Sequence, residues 1–260
     1  MPAIPPPPDT LPEKNFKLIV EYDGTDYCGW QRQPDRPTIQ GMLEAVLQRM
    51  TQAPVTLHGS GRTDAGVHAL GQTAHFRSRT RLTPEELHKG LNSLLPADIA
   101  VRSCQRVPLT FHARFDCHWK HYRYRILNQA VRHAVGYRYA WHIQRPLDRA
   151  AMETAAACLV GKHDFKSFES SGSPRAHTVR EVMEAAWRES DGHLEFDIRA
   201  NGFLRGMVRN MVGTLVAVGM GQRPATSLPE LLQAADRRLA PAAAPAQGLF
   251  LVQVDYGPAV

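Results

Sequence analysis

Between two stretches with strand-like alternation the chain reads Gly59-Ser60-Gly61-Arg62-Thr63-Asp64-Ala65-Gly66-Val67-His68. A carboxylate set among three glycines and beside an arginine has a chemical use. Gly61 and Gly66 would let a substrate come close to the backbone. The Arg62 guanidinium would favour the charged form of Asp64. An ionised, oriented carboxylate can then act as nucleophile or base. The plainer account is a surface turn, which Asp and Gly form readily, with Arg62 and Asp64 as a weak exposed ion pair. Two phosphate-binding patterns fail here. A dinucleotide fingerprint would need glycine where Asp64 stands and a helix afterwards. A phosphate loop would need lysine where Val67 stands. Hard cations want several oxygen ligands, and no second acidic residue lies in this segment. His58, His68 and His75 are scattered, so no metal site is expected.

The elements that must position this loop follow from periodicity and punctuation. Residues 16–22 read as a strand. Thr38 caps a helix in which Ile39, Leu43, Val46, Leu47 and Met50 recur at helical spacing. Residues 54–59 and 71–77 read as strands on either side of the loop. Thr83-Pro84-Glu85-Glu86 is a capping box opening a helix to about Leu94, and 99–107 is a strand. The second half repeats the order. It has a strand over 121–127, a helix over 149–159 capped by Asp148, and strands over 178–189 and 193–200 joined at Asp191-Gly192. A long helix over 203–220, a short one over 228–237, an Ala/Pro tract over 240–246 and a strand over 249–256 complete it. Gly206 costs that long helix about 1 kcal/mol relative to Ala, which argues for a later start.

The expected class is therefore α+β. Two β-α-β-β-α-β halves, each a split βαβ unit, would form a central, mostly antiparallel sheet flanked by helices. A flexible Pro-rich tail is expected over 1–14, an N-terminal half carrying the Asp64 loop over 15–110, and a C-terminal half completing the active site over 111–260. In the strand over 121–127, alternation puts Tyr122, Tyr124 and Ile126 on one face and His121, Arg123 and Arg125 on the other. One face can pack or stack; the other can meet phosphate. Tyr124 is expected in the core.

The 260 residues carry a net charge of +6, with 22% charged and 43% hydrophobic residues. That is too apolar for disorder and suits a polyanionic partner. Four cysteines without a CxxC pair exclude a disulfide-built mini-protein and a zinc ribbon. No apolar run of about 20 residues suggests a membrane span. The N-terminus lacks the pattern of a secretory signal, so a cytoplasmic protein is expected.

Arg62-Thr63-Asp64-Ala65-Gly66-Val67-His68-Ala69 resembles the active-site signature of the tRNA pseudouridine synthase A family. Further similar segments follow in order. They include Glu21 to Gly24 with Tyr27 to Gln33, Phe111 to Phe115, Tyr122 to Tyr124, His163 to Phe165, Met207 to Gly213, and Gly248 to Leu251. The resemblance implies isomerisation of uridine to pseudouridine at tRNA positions 38, 39 and 40, in the anticodon stem-loop, without a cofactor. It assigns the essential carboxylate to Asp64 (nucleophile in one of three competing proposals, with Arg62 beside it) and the active-site tyrosine to Tyr122. It assigns the basic ion-pair partner to Arg209, and it implies a homodimer. The target base must leave its stack before a carboxylate can reach it. Arg62, Arg77, Arg79, Arg81, Arg114, Arg123 and Arg125 could repay that through phosphate contacts. Arg77, Arg79, Arg114 and Arg123 are the expected RNA-binding set. The alternative is a noncatalytic structured-RNA-binding protein, since split βαβ sheets also bind RNA through surface aromatics.

Overall fold

The computed structural model describes residues 11–170, 172 and 177–257. The chain divides into two compact units, the first ending at Cys117 and the second spanning His118–Gly257. Of the tail expected over 1–14, residues 1–10 lie outside the described residues, and Lys14 already begins the first strand.

The first unit has the expected element order. Strand β1 (Lys14–Tyr22) leads through helix α1 (Ile39–Thr51) to β2 (His58–Gly59) and β3 (His68–Ser78). Helix α2 (Pro84–Leu94) and strand β4 (Ile99–Val107) follow. The sheet runs β4-β1-β3, antiparallel throughout, with β2 alongside β3. Both helix starts are chemical: Thr38 accepts from the Gly41 N–H, and Thr83 forms a reciprocal capping box with Glu86. Phe16, Leu18 and Val20 alternate into a core that also holds Phe76, Leu43 and Leu91, and Phe16 stacks on Phe76 at 5.2 Å. The strand expected over 54–59 shrinks to two residues. Glu44, buried on α1, accepts the Leu57 N–H at 2.9 Å, so a side chain takes a donor that a strand ladder would have used.

The second unit elaborates the expected order. Strand β5 (Trp119–Leu127) is followed by the short β6 (Trp141–His142), helix α3 (Arg149–Ala157) and β7 (Gly161–Asp164). Then come β8 (Val179–Ser190), β9 (His193–Ala200), helices α4 (Met207–Gly219) and α5 (Ser227–Ala234), and β10 (Leu249–Asp255). The strand order is β10-β5-β9-β8-β7, all antiparallel, with β6 parallel to β5. Asp191 and Gly192 both take positive φ, the pairing that a tight hairpin between twisted strands requires. Strands β6 and β7, only two and four residues long, escape a periodicity argument.

Helix α4 begins at Met207, not at 203. Gly206 is its cap, with φ +67°, and a Cβ there would strike Ser170 Oγ. Only glycine takes that left-handed conformation cheaply. From there all but one residue of α4 is buried. The exception is Arg209.

Candidate active site

The loop 60–67 joins β2 to β3, and it is shaped by main chain meeting main chain. Its entering limb is tied to β3: Ser60 N–H donates to the Thr73 carbonyl (2.8 Å), Ser60 Oγ–H to Gln72 Oε1 (2.7 Å), and Gln72 Nε2 to the Gly61 carbonyl (3.0 Å). Thr63 is buried and clamped twice. Its carbonyl accepts the Trp30 N–H at 3.1 Å, and its hydroxyl meets Tyr22 Oη at 2.8 Å. Burial pushes the Tyr22 phenol up to about 12, so it stays a neutral hydrogen-bonding post. Immediately after Asp64 the chain reverses: Val67 N–H donates to the Asp64 carbonyl (3.2 Å), with Gly66 at φ +75°. Positive φ at the third position of a turn is what selects glycine.

The segment 23–30 forms the other wall. Gly29, at φ +88°, lies so close that a Cβ would stand 2.6 Å from the Thr63 carbonyl oxygen. A Cβ on Gly24 would overlap the Val67 carbonyl. The Gly24 N–H donates to the Nδ1 of buried His68 at 3.1 Å. Asp64 is thus half-buried between a residue held on two sides and a turn held by a third contact, Gly66 N–H to the Tyr27 carbonyl (3.4 Å). Its backbone has little room to move. Arg62, two residues before it, is exposed. The second acidic candidate nearby in sequence, Asp23, accepts from Thr25 N–H (3.0 Å) and Oγ1–H (2.6 Å) and faces His68 Nδ1 at 3.0 Å. That carboxylate serves its own turn. Sequence reasoning named the loop but missed Tyr22, Gly24, Gly29 and Trp30 as its supports. Their motif matches were the available signal.

In the second unit Tyr122 is only 7% exposed on β5, with its ring edge-on to Phe203 at 4.9 Å. Tyr124 is fully buried and donates to the Pro245 carbonyl at 2.8 Å, the satisfied core tyrosine that was expected. Arg209 lies in the first turn of α4, half-buried, and its Nε donates to the Ala244 carbonyl (2.8 Å) while its own carbonyl accepts from Ala244 N–H (2.9 Å). Burial pushes the Tyr124 hydroxyl far up, and the Arg209 charge works against that shift.

The opposite side of β5 departs from expectation. Arg123 and Arg125 were expected to meet phosphate, yet carboxylates on β9 face them. Arg123 Nε lies 2.9 Å from Asp197 and 3.3 Å from Glu195, and Arg125 Nε lies 3.1 Å from Glu195. His121 Nε2 is 2.6 Å from Asp197, and Arg188 reaches both acids at 2.7 Å. Alternation gives the face of a residue but not its cross-strand partner. Here the antiparallel register sets Arg123 opposite Asp197 and Arg125 opposite Glu195. Arg77, Arg79 and Arg114 are exposed. The first two donate to the Leu109 and Leu11 carbonyls at 2.7 and 3.0 Å.

Burial pushes the Asp197 carboxyl up, but hydrogen bonds from His121 and Arg123 outweigh it and hold the group below the usual carboxylate range. A carboxyl lowered by folding contributes stability above its unfolded value of about 4 and loses it as pH falls through the folded value. Asp197→Asn should therefore cost about 1–3 kcal/mol at pH 7, a discount on a fully buried pair because the arginines are partly in water. Urea unfolding should show that difference constant down to about pH 4 and shrinking below it.

Comparison with known proteins adds to this geometry. A family model described as tRNA pseudouridine synthase matches residues 18–116 and 155–257. A protein of Syntrophotalea carbinolica named tRNA pseudouridine synthase A is 46% identical over 242 residues, covering 93% of this chain and 96% of its own. Similarly named proteins of Citrifermentans bemidjiense and Moorella thermoacetica are 45% and 46% identical, over 94% and 93% of this chain and 98% and 99% of theirs.

Proposed function

This chain belongs to the tRNA pseudouridine synthase family, and from that premise we propose that it acts on uridines 38, 39 and 40 of the anticodon stem-loop, with Asp64 as its essential carboxylate. The reaction is an isomerisation. The bond from uracil N1 to ribose C1′ breaks, the base turns, and C5 bonds to C1′. The C5 hydrogen leaves as a proton while N1 gains one. Nothing is oxidised or reduced, so the balance calls for no cofactor.

The observation that carries the reading is the main-chain mould around Asp64: Thr63 held by Trp30 and Tyr22, and the 64–67 turn closed by Val67 N–H to the Asp64 carbonyl. A carboxylate that must meet one ribose in one orientation benefits from a backbone fixed in advance. Direct attack at C1′, addition to the base and removal of a ribose proton all need that same placed carboxylate, and all resemble glycosidase chemistry in this respect. Tyr122, as a flat wall for uracil, and Arg209, as a basic ion-pair partner, are assigned from the motif match. Arg77, Arg79 and Arg114 are assigned to phosphates. Arg123 has the weakest claim, because Asp197 and Glu195 already balance its charge. A cytoplasmic homodimer is the expected working state, and sedimentation of the purified protein would test the dimer.

The test is tritium release from tRNA transcripts labelled at uridine C5, each carrying uridine at only one of the three positions. Forming the carbon–carbon bond expels that hydrogen, whereas binding alone does not. Release from all three transcripts is expected. Release from a subset would narrow the position assignment. No release from a folded protein that still binds tRNA would leave the RNA-binding alternative.

A further inference from the structure

The segment after β4 carries an unusual surface residue. Phe115 is 74% exposed, in a protein whose other large aromatics are mostly buried. It lies in a closed turn: Phe115 N–H and Asp116 N–H both donate to the His112 carbonyl (3.2 and 3.1 Å), and Asp116 Oδ2 accepts the His112 N–H at 2.9 Å. The turn is pinned to the sheet beneath it. Ala113 N–H donates to Nδ1 of buried His75 (3.1 Å), and the buried Asn15 amide holds the Pro108 and Phe111 carbonyls, each at 2.9 Å. Burial, with His112 and His58 adding to it, pushes His75 down to about 4. Its ring is therefore neutral at physiological pH and able to accept.

The Phe115 ring has two neighbours in its own turn. His112 lies 4.3 Å from it and the Arg114 guanidinium 5.7 Å. Lys17 over Phe111 and Arg77 on the Leu109 carbonyl add cations around the same segment. Two acids oppose them: Asp116, whose carboxylate is engaged in the turn, and Glu13, 4.0 Å from Arg77. An exposed apolar ring on a pinned turn, with three cations against two acids around it, fits nucleic acid better than a protein groove. The cations meet phosphate, and any base has a face to stack.

We propose that Phe115 is a stacking platform for an unpaired or extruded base of the tRNA, held ready by the turn that His75 and Asn15 pin to the sheet. This rests on tRNA being the substrate, and it assigns a contact to a residue apart from the Asp64 loop. Stacking strength converts to a fold-change directly: Phe115→Ala should raise the Kd for tRNA about tenfold, with KM rising and kcat unchanged. Phe115→Leu keeps bulk but loses the flat ring and should weaken binding similarly. Phe115→Trp should restore it, with the introduced indole quenched on adding tRNA. The residue is at the surface, so all three should melt like the parent protein. A Leu variant that binds like the parent, or an Ala variant within about twofold of it, would overturn the platform while the parent's own tritium release leaves the enzyme reading intact. If the parent neither bound tRNA nor released tritium, the substrate reading and the platform would fall together.

Discussion

Asp64→Asn should abolish tritium release from C5-labelled tRNA, by a factor of at least about a thousand, while the protein stays folded and still binds tRNA. Removing the single reacting group of an enzyme commonly costs several powers of ten, because the remaining site supplies only binding and orientation. Asn is nearly isosteric with Asp but can neither take a proton nor give up an electron pair as a carboxylate does. The backbone contacts around position 64 do not involve its side chain: Val67 donates to the main-chain carbonyl, and Trp30 and Tyr22 hold Thr63. The substitution therefore removes the ionisable group and leaves these main-chain contacts their atoms. A loss smaller than about tenfold in single-turnover assays would remove Asp64 from the essential role.

Gly24→Ala should impair the same step from a distance. The added methyl has no free space, since it would overlap the carbonyl of Val67, the residue that closes the turn begun at Asp64. Backbone cannot rotate away as a flexible side chain can, so the two strands of chain must part. Displacing a reacting group by about 1 Å can cost roughly a hundredfold in rate. Overpacking of this kind also costs about 1–3 kcal/mol of stability. We expect kcat to fall about a hundredfold with a smaller change in KM, and a modest loss in urea unfolding. The control Thr25→Ala, one residue away, should change kcat by less than about threefold, because its hydroxyl donates to Asp23 within that turn. Equal rates for Gly24→Ala and the parent would mean that the wall formed by 23–30 does not set the position of Asp64.

Legibility of the fold in the sequence varied with the physics of each element. Helices α1 and α2 were legible nearly to the residue because Thr38 and Thr83 announce their starts with side-chain caps. The hairpin at Asp191-Gly192 was legible because positive φ restricts residue choice. An apolar stretch continues across Gly206, so periodicity starts helix α4 four residues too early; the cost of glycine in a helix points to a later start, and the left-handed backbone at Gly206 sets it at Met207. Strands β6 and β7 are too short for a period to register. In the candidate site, Asp64 could be singled out as the proposed carboxylate because carboxylate, arginine and glycine types carry their chemistry openly. Its supports could not. Gly24 and Gly29 act through absent side chains and Trp30 through a main-chain N–H, none of which composition or spacing reports. The salt-bridge pairing of Arg123 and Arg125 was hidden for another reason. It depends on which residues of β9 lie opposite, and register is a property of two strands together.

The mould around Asp64 bears on modularity. Its shape belongs to two stretches of chain, 22–30 and 59–68, that are distant in sequence and meet through backbone atoms at Gly24, Gly29, Trp30 and Tyr27 and through the Tyr22 hydroxyl. A graft of the shorter signature alone into another scaffold would carry the reactive group without the surface that gives it form. A side chain such as Ala65, which is exposed, can be exchanged by drift or by design with the mould undisturbed. The inheritable unit of this site is therefore a pair of segments.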